Sequence, residues 1–96
     1  MLVLVTYDVS TQTSAGRRRL QHVAKACESY GIRAQKSVFE CELDPAQWET
    51  LKQRLLAEFS EKEDSLRFYF LGSNWERRVE HHGASKPPDM HGLLMV

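Results

Sequence analysis

The first apolar segment of the chain is an unbroken run, and this pattern predicts a buried strand. Residues 2–7 read LVLVTY, and they are followed by Asp8 and a polar Ser/Thr/Gln stretch. A β-branched run that is apolar on both alternating faces is typical of the middle of a sheet. We therefore predict that residues 2–7 form a central strand and that Asp8 lies where this strand turns into a loop.

Two later segments carry apolar residues at helical spacing. The first follows a polar loop at residues 9–16 and ends at Gly31, which suits a helix C-cap. Its apolar positions are Leu20, Val23, Ala24, Cys27 and Tyr30. The apolar stripe of the second segment consists of Trp48, Leu51, Leu55 and Phe59. These spacings predict two amphipathic helices.

The start of the second helix is marked by several residues with separate roles. Asp44 is a good N-cap, Pro45 suits the first helical position, and Gln47 completes a capping-box pattern. Leu43 and Trp48 stand where a hydrophobic staple would clamp the entry of the chain into the helix. The sequence therefore fixes this helix start more sharply than any other boundary.

The remaining apolar segments are typical of extended structure. Residues 32–43 do not alternate cleanly, so we expect a bend or bulge near residues 37–39, and the number of strands there stays open. An acidic loop at residues 61–64 leads into an alternating strand at residues 66–72. Residues 93–96 read LLMV, and an uncovered apolar edge of this kind invites pairing with another sheet.

This order of elements predicts an α+β fold. Strand, helix, extended segment, helix and strand on one small core favour a ferredoxin-like sandwich, in which two helices cover one face of a mostly antiparallel sheet. A chain of 96 residues has room for one core, so residues 1–96 are expected to form a single domain. A core of this size would gain stability from a partner that covers more apolar surface.

Cysteine use and the N-terminal sequence indicate the cytoplasm. Cys27 and Cys41 lie inside periodic segments and have no CxxC or Cys/His ligand spacing, so we expect reduced core thiols. The apolar residues 1–7 are too few for a membrane span and lack the basic leader of a signal peptide. We therefore expect a cytoplasmic protein that does not associate with a membrane.

Charge is distributed unevenly although the net charge is zero. Residues 1–39 carry six Lys/Arg and two acids, whereas residues 40–64 carry eight acids and three bases. A basic first third can present a phosphate-binding face in a protein that is neutral overall. Ordinary solvated helix faces explain the same distribution equally well, so charge alone leaves both interpretations open.

Asp8 is the first candidate for chemistry. A side chain at the end of a central strand is aimed by a rigid scaffold while the following loop gives access. A carboxylate there can ligate Mg²⁺, which requires oxygen ligands. An aspartate that merely begins a turn is the more common explanation of this spacing. No second acid lies near Asp8 in sequence, so a metal site would require Asp8 from each subunit of a twofold dimer.

Three arginines at residues 17–19 are expected to open the first helix. Arginine is unfavourable at a helix N-terminus because of the helix dipole, whereas phosphate binding by guanidinium groups and free backbone amides would give this run a purpose. An ordinary solvated helix start explains the three arginines equally well. Four further basic residues could extend the same surface, namely Arg33, Lys36, Arg77 and Arg78.

Other chemistries find less support in the sequence. His81 and His82 are adjacent and therefore point in divergent directions, and His91 does not complete a tetrahedral zinc set. A pH-sensitive loop is the alternative interpretation of these histidines. Phe39 and Tyr69 could stack on bases, although aromatic residues in strands of small domains more often belong to the core.

Taken together, the motifs of this chain resemble the small CRISPR-associated endonuclease family, the partner of the spacer integrase. VTYDVS is similar to the family's strand-then-Tyr-Asp motif, and RRRL to its arginine-containing helix start. YGIRAQKSVFECEL is the most specific match, and RFYFLG also fits. The resemblance covers the chain up to Gly72, about three-quarters of its length.

The resemblance implies a homodimer of ferredoxin-like domains in which the C-terminal strand joins the partner's sheet. It also implies Mg²⁺ or Mn²⁺ at Asp8 of both subunits and cleavage of phosphodiester bonds in single-stranded RNA or double-stranded DNA. The residues that it assigns to nucleic-acid binding are Tyr7, Arg17, Arg19, Arg33, Ser37 and Phe39.

Three functions follow from this resemblance. The first is a metal-dependent endonuclease of the CRISPR adaptation module, with Asp8 as the catalytic residue. The second is an architectural DNA-binding subunit that bridges dimers of the integrase, with any cleavage incidental. The third is a toxin-like messenger-RNA interferase on the same fold.

Overall fold

A computed structural model describes residues 1–72 of the chain together with Asn74, Glu80 and His82. Its elements, in chain order, are β1 Leu2–Asp8, α1 Ser14–Tyr30, β2 Ile32–Gln35, β3 Val38–Glu42, α2 Pro45–Glu58 and β4 Ser65–Gly72. The strand expected at residues 93–96 and its exchange into a partner's sheet lie outside the described residues, as do Arg77, Arg78, His81 and His91.

The four strands form one antiparallel sheet in the order β2-β3-β1-β4. Strand β1 lies between β3 and β4, so that Val5 is opposite both Phe39 and Phe68. This arrangement confirms the central strand, because β1 is hydrogen-bonded to a neighbouring strand on each side. With two helices between the strands in this order, the chain has the predicted ferredoxin-like fold.

The segment at residues 32–43 is a β-hairpin. Strands β2 and β3 are joined by a two-residue turn at Lys36 and Ser37, and their register shifts between Arg33 and Gln35. The irregularity expected near residues 37–39 is therefore a complete chain reversal rather than a bend within one strand. The number of strands in this segment, which the sequence left open, is two.

Helix α1 begins earlier than its apolar spacing suggested. The predicted loop at residues 9–16 is too long at its C-terminal end, because Thr13 is the N-cap and its hydroxyl accepts the Gly16 amide at 3.0 Å. The Arg17 amide donates to the Thr13 carbonyl at 3.1 Å, which is already a helical hydrogen bond. The arginines at residues 17–19 therefore follow the first turn and do not sit among its free amides.

Helix α2 begins as predicted. The Asp44 carboxylate accepts the Gln47 amide at 2.7 Å, and the Gln47 side chain accepts the Asp44 amide at 3.0 Å. This is the reciprocal capping box that the sequence indicated. Leu43 and Trp48, the predicted staple pair, are both buried in the core.

The core lies between one face of the sheet and the two helices. Its fully buried members come from β1, α1, β3 and α2, namely Val3, Val5, Val23, Ala26, Cys27, Phe39, Cys41, Leu51 and Leu55. At the β4 edge, Trp48 packs its ring edge-to-face on Phe68 and Phe70. In the described part of the chain, no helix is both long enough and apolar enough to cross a membrane.

Candidate active site at the end of the first strand

Asp8 is the last residue of β1 and is exposed. It lies opposite Ser65 in β4, while the preceding Tyr7 turns its ring towards the helices and is only 6% exposed. The alternation of a strand therefore places the carboxylate on the helix-free face of the sheet. As predicted, a carboxylate stands at the end of the central strand, with water access and a rigid backbone behind it.

The β2–β3 turn holds one side of this strand end. The Tyr7 amide donates to the Ser37 carbonyl at 3.1 Å, and the Tyr7 hydroxyl donates to the Lys36 carbonyl at 3.4 Å. The guanidinium of Arg33 donates to the same Lys36 carbonyl at 2.5 Å. Tyr7, Ser37 and Arg33, three of the residues that the resemblance implies, therefore meet at the end of β1, on the side of the sheet that the helices cover.

Phe39 supports this group from beneath. Its ring is fully buried, stacks on Tyr7 with 6.3 Å between ring centroids, and carries the Arg33 guanidinium 4.7 Å above its centre. Because the ring has no exposed surface, in this chain it orients Arg33 by a cation–π contact rather than facing a groove. Arg33 is also hydrogen-bonded to Glu28 at 3.1 Å and remains substantially exposed.

The pKa of the Tyr7 phenol also indicates a structural role for this residue. Burial, with a smaller contribution from Cys27, raises the pKa of its phenol above the ordinary value, and the nearby Arg33 opposes this rise. The hydroxyl therefore stays protonated at neutral pH. Of this group, the exposed Arg33 guanidinium can meet a ligand, whereas the buried rings of Tyr7 and Phe39 cannot.

The loop after Asp8 is held on the other side by Asp64. The Asp64 side chain is completely buried and accepts the backbone amides of Ser10 at 3.0 Å and Ser60 at 2.9 Å. Arg19 donates to its two oxygens at 2.8 and 3.1 Å. The hydrogen bond from Arg19 lowers the pKa of Asp64 to about 2, and the two amides add to this effect against the opposing effect of burial.

The sequence did not single out Asp64, because it appeared only as the end of an acidic loop. Its neighbours Glu61 and Glu63 are exposed, as that interpretation requires. One local signal was present, since Asp64 directly precedes β4, and the end of a loop beside a buried strand is a place where a carboxylate can be enclosed. Two of its hydrogen-bond partners, Ser10 and Arg19, lie 54 and 45 residues away in the chain, which no local pattern encodes.

The predicted basic residues take different positions. The Arg19 side chain is 17% exposed and forms an ion pair with Asp64, and a Glu63 carboxylate oxygen lies 3.5 Å from one of its terminal nitrogens. Arg19 therefore helps to hold the loop after Asp8. Arg17 is exposed, and one of its terminal nitrogens donates to the Thr11 carbonyl at 3.1 Å. Arg17 and Arg33 are therefore the candidate phosphate contacts, one near the start of α1 and one on β2 of the hairpin.

The donor set for a divalent cation is incomplete in one chain. Among the described residues, no three His, Cys, Asp or Glu side chains converge on a common point. Asp8 supplies one carboxylate, and the oxygens of Asp64 already accept four hydrogen bonds. The described residues of one copy thus do not complete a Mg²⁺ site, and further ligands are needed.

These residues define a class of protein. It is a ferredoxin-like domain with an exposed carboxylate at the end of its central strand and an arginine held in the adjacent hairpin. The model of the family described as CRISPR associated protein Cas2 matches residues 1–79. The chain belongs to this Cas2 family.

Individual relatives agree with this assignment. A Chlorobaculum tepidum protein named CRISPR-associated endoribonuclease Cas2 is 64% identical over 96 residues, which is all of both chains. A Nitratidesulfovibrio vulgaris protein of the same name is 55% identical, covering 100% of this chain and 94% of its own length. The crystal structure of Streptococcus pyogenes Cas2 matches with a TM-score of 0.74 at 60% identity, covering 86% of this chain and 100% of that chain.

Proposed function

We propose that the chain is a CRISPR-associated endonuclease that hydrolyses phosphodiester bonds in single-stranded RNA or double-stranded DNA. The observation that carries this proposal is the exposed Asp8 carboxylate, held at a strand end between two hydrogen-bonded segments. The names of its relatives support the reaction, since both proteins compared above are called endoribonucleases. The proposal places this activity in the adaptation module, together with an integrase subunit.

Within this proposal, the residues of the chain have separate tasks. Arg17 and Arg33 bind backbone phosphates of the substrate, because both are exposed and guanidinium groups match phosphate oxygens in charge and geometry. Burial of Tyr7 and Phe39 keeps Arg33 in place through the cation–π contact and the shared carbonyl of Lys36. Asp8 remains free of these contacts and faces the substrate side.

The working unit that we propose is a homodimer. Asp8 is the one acidic residue of β1, and no three ligand side chains come together in the part of the chain that the structure describes, so a site for Mg²⁺ or Mn²⁺ requires Asp8 of both subunits. When bound, such a cation supplies charge neutralisation at the scissile phosphate and a more acidic water. The proposed activity is therefore lost on dilution below the dimer dissociation constant and on addition of a chelator.

Cleavage by the wild type and by Asp8→Asn, purified in parallel, tests the proposal. We expect Asp8→Asn to lower metal-dependent cleavage by at least about 100-fold, since it removes the central ligand. Light scattering should show an unchanged dimer. Glu61→Gln is the matched control, because it removes an exposed carboxylate from a neighbouring loop and should cleave like the wild type. Equal cleavage by Asp8→Asn would refute the assignment.

A second function, an architectural DNA-binding subunit that bridges integrase dimers, is supported by the exposed Arg17 and Arg33, because binding without cleavage requires cations but no metal site. It requires the basic positions and the dimer but not the carboxylate. Spacer acquisition in cells separates the two functions: Asp8→Asn abolishes it for an essential nuclease and preserves it for a bridging subunit. Charge reversal at Arg17 and Arg33 abolishes acquisition in both cases and shows that the assay responds.

A further inference from the structure

Asp8 lies between two backbone amides that are held in different ways. On its N-terminal side, the Tyr7 amide is bound by a backbone carbonyl, that of Ser37. On its C-terminal side, the Ser10 amide is bound by a side chain, the buried carboxylate of Asp64. The exit of the chain from β1 therefore depends on the position of one side chain that comes from the loop before β4.

Arg19 fixes that side chain. Its Nε lies 2.8 Å from one Asp64 oxygen and its terminal nitrogen 3.1 Å from the other, so the carboxylate is gripped in two places. The same carboxylate also accepts the Ser60 amide at 2.9 Å. A single ion pair thus joins α1, the loop after β1 and the loop before β4.

A close backbone approach adds to this connection. A Cβ placed on Gly16 would lie 2.0 Å from the Ser10 carbonyl oxygen, so α1 packs directly on the loop that follows Asp8. Ser10 is therefore held by its amide through Asp64 and is confined at its carbonyl by Gly16. The loop is shaped by packing and hydrogen bonding rather than left to sample many conformations.

We propose that Asp64 and Arg19 are a positioning pair that orients Asp8, and that Arg19 affects cleavage through Asp64 rather than by contacting the substrate. This inference rests on the proposed nuclease function. It revises the role that the sequence suggested for Arg19, because a guanidinium that is 17% exposed and doubly bonded to a buried carboxylate has little surface left for a phosphate.

The first test is a double-mutant cycle measured by kcat and KM. Asp64→Asn and Arg19→Ala should each lower kcat by about 10- to 100-fold, the cost of a small misplacement of a catalytic group, and should change KM by less than about threefold. The double variant should be no worse than the poorer single variant, because both substitutions remove the same interaction. Glu63→Gln, which removes only the exposed partner of Arg19, should stay within about twofold of the wild type.

A phosphate contact by Arg19 gives the opposite pattern. Arg19→Ala would then raise KM with little change in kcat, and it would weaken binding further in the Asp64→Asn background. Either result overturns the positioning role. Normal kcat in Asp64→Asn overturns it as well.

The second test measures the conformation of the loop after Asp8 directly and does not depend on cleavage. In Asp64→Asn, amide hydrogen exchange at Ser10 should accelerate by at least about tenfold while exchange at Val5, in the middle of β1, stays slow. The Asp8 amide resonance should shift in the same variant and stay in place in Glu63→Gln. Unchanged exchange at Ser10 would contradict the proposal that Asp64 holds the loop after Asp8.

The two tests together separate this inference from the proposed function. A wild type that cleaves neither nucleic acid refutes the nuclease proposal, and Ser10 exchange and the Asp8 resonance then decide the positioning role alone. If Asp64→Asn does not fold, Arg19→Gln takes its place, because it leaves Asp64 able to accept both amides while removing the charge. The same kcat and KM criteria apply to that variant, together with the shift of the Asp8 amide resonance, whereas faster exchange at Ser10 is not required of it because the Asp64 acceptor remains.

Discussion

Arg19 and Asp64, 45 residues apart in the chain, form a two-point ion pair in which the carboxylate is completely buried. Buried ion pairs are costly to break, because removal of one partner leaves the other charge without compensation. This pair lies beside the exit from β1 rather than in the apolar core. Its effects should therefore appear in both the stability of the fold and the behaviour of the loop that follows Asp8.

Acid should weaken the fold through Asp64. Its pKa in the folded chain is about 2, below the ordinary value of 3.8, so its contribution to stability is fully present above about pH 4. This contribution is lost progressively as the pH falls towards 2. Urea unfolding between about pH 6 and pH 3 should show a decline in the wild type that is shallower in Asp64→Asn. Glu63→Gln should keep the wild-type decline, and parallel curves for all three proteins would contradict the assignment.

Alanine at position 16 should destabilise the protein, contrary to its usual effect in helices. Gly→Ala ordinarily stabilises a helix by about 0.5–1 kcal/mol. Here the new Cβ would lie 2.0 Å from the Ser10 carbonyl oxygen, so we expect a loss of about 1–3 kcal/mol, as for overpacking. Urea denaturation measures the change. Ser14→Ala, at an exposed position of the same first turn, should stay within about 0.5 kcal/mol, and a stabilised Gly16→Ala would show that the contact is absent.

Removal of the Tyr7 hydroxyl should have a small effect. The hydroxyl makes one long hydrogen bond of 3.4 Å to the Lys36 carbonyl, while the ring keeps its stacking on Phe39 without it. We expect Tyr7→Phe to lose less than about 1 kcal/mol of stability and to retain cleavage within about threefold. Tyr30→Phe serves as a control for the loss of a tyrosine hydroxyl elsewhere. A large fall in kcat with unchanged stability would instead indicate a proton-donor role for Tyr7.

Cys27 and Cys41 should be inert in the native protein. Both are free and fully buried, and burial raises the pKa of each thiol to about 12. At pH 8 the thiolate fraction is then about 10⁻⁴, so alkylation or disulfide exchange must wait for unfolding. Mass spectrometry after a thiol reagent should find no label in buffer and two labels in urea. Rapid labelling in buffer would show that the core opens locally.

Local chemistry explains which parts of the fold the sequence predicted well. The capping box of Asp44 and Gln47 is contained in four consecutive residues, so the start of α2 could be placed correctly. The apolar run of β1 likewise lies in consecutive residues, so its position inside the sheet could be predicted. Thr13 was overlooked as a cap because it lies in a continuous polar stretch, where several residues could cap a helix equally well.

Long-range contacts explain what the sequence did not predict. The role of Asp64 is set by Arg19 and Ser10, which are distant in sequence, and an acidic loop gives no indication of them. Phe39 could be assigned to the site by resemblance, but whether its ring faces water depends on how the helices cover the sheet. The candidate site was therefore found from its position on β1, whereas the pair that holds it appeared only in three dimensions.

The strand order has a consequence for the chain as a whole. Every neighbouring pair of strands combines one strand from the first half of the described fold, β1 or β2, with one from the second half, β3 or β4. Neither half of the described fold contains a ladder of its own, so a cut between Lys36 and Ser37 would separate the two strands of every ladder between β1 and β4. Each fragment should stay unfolded alone, and mixing them should restore the sheet by complementation, which makes this turn a natural place to divide the protein into a two-part reporter.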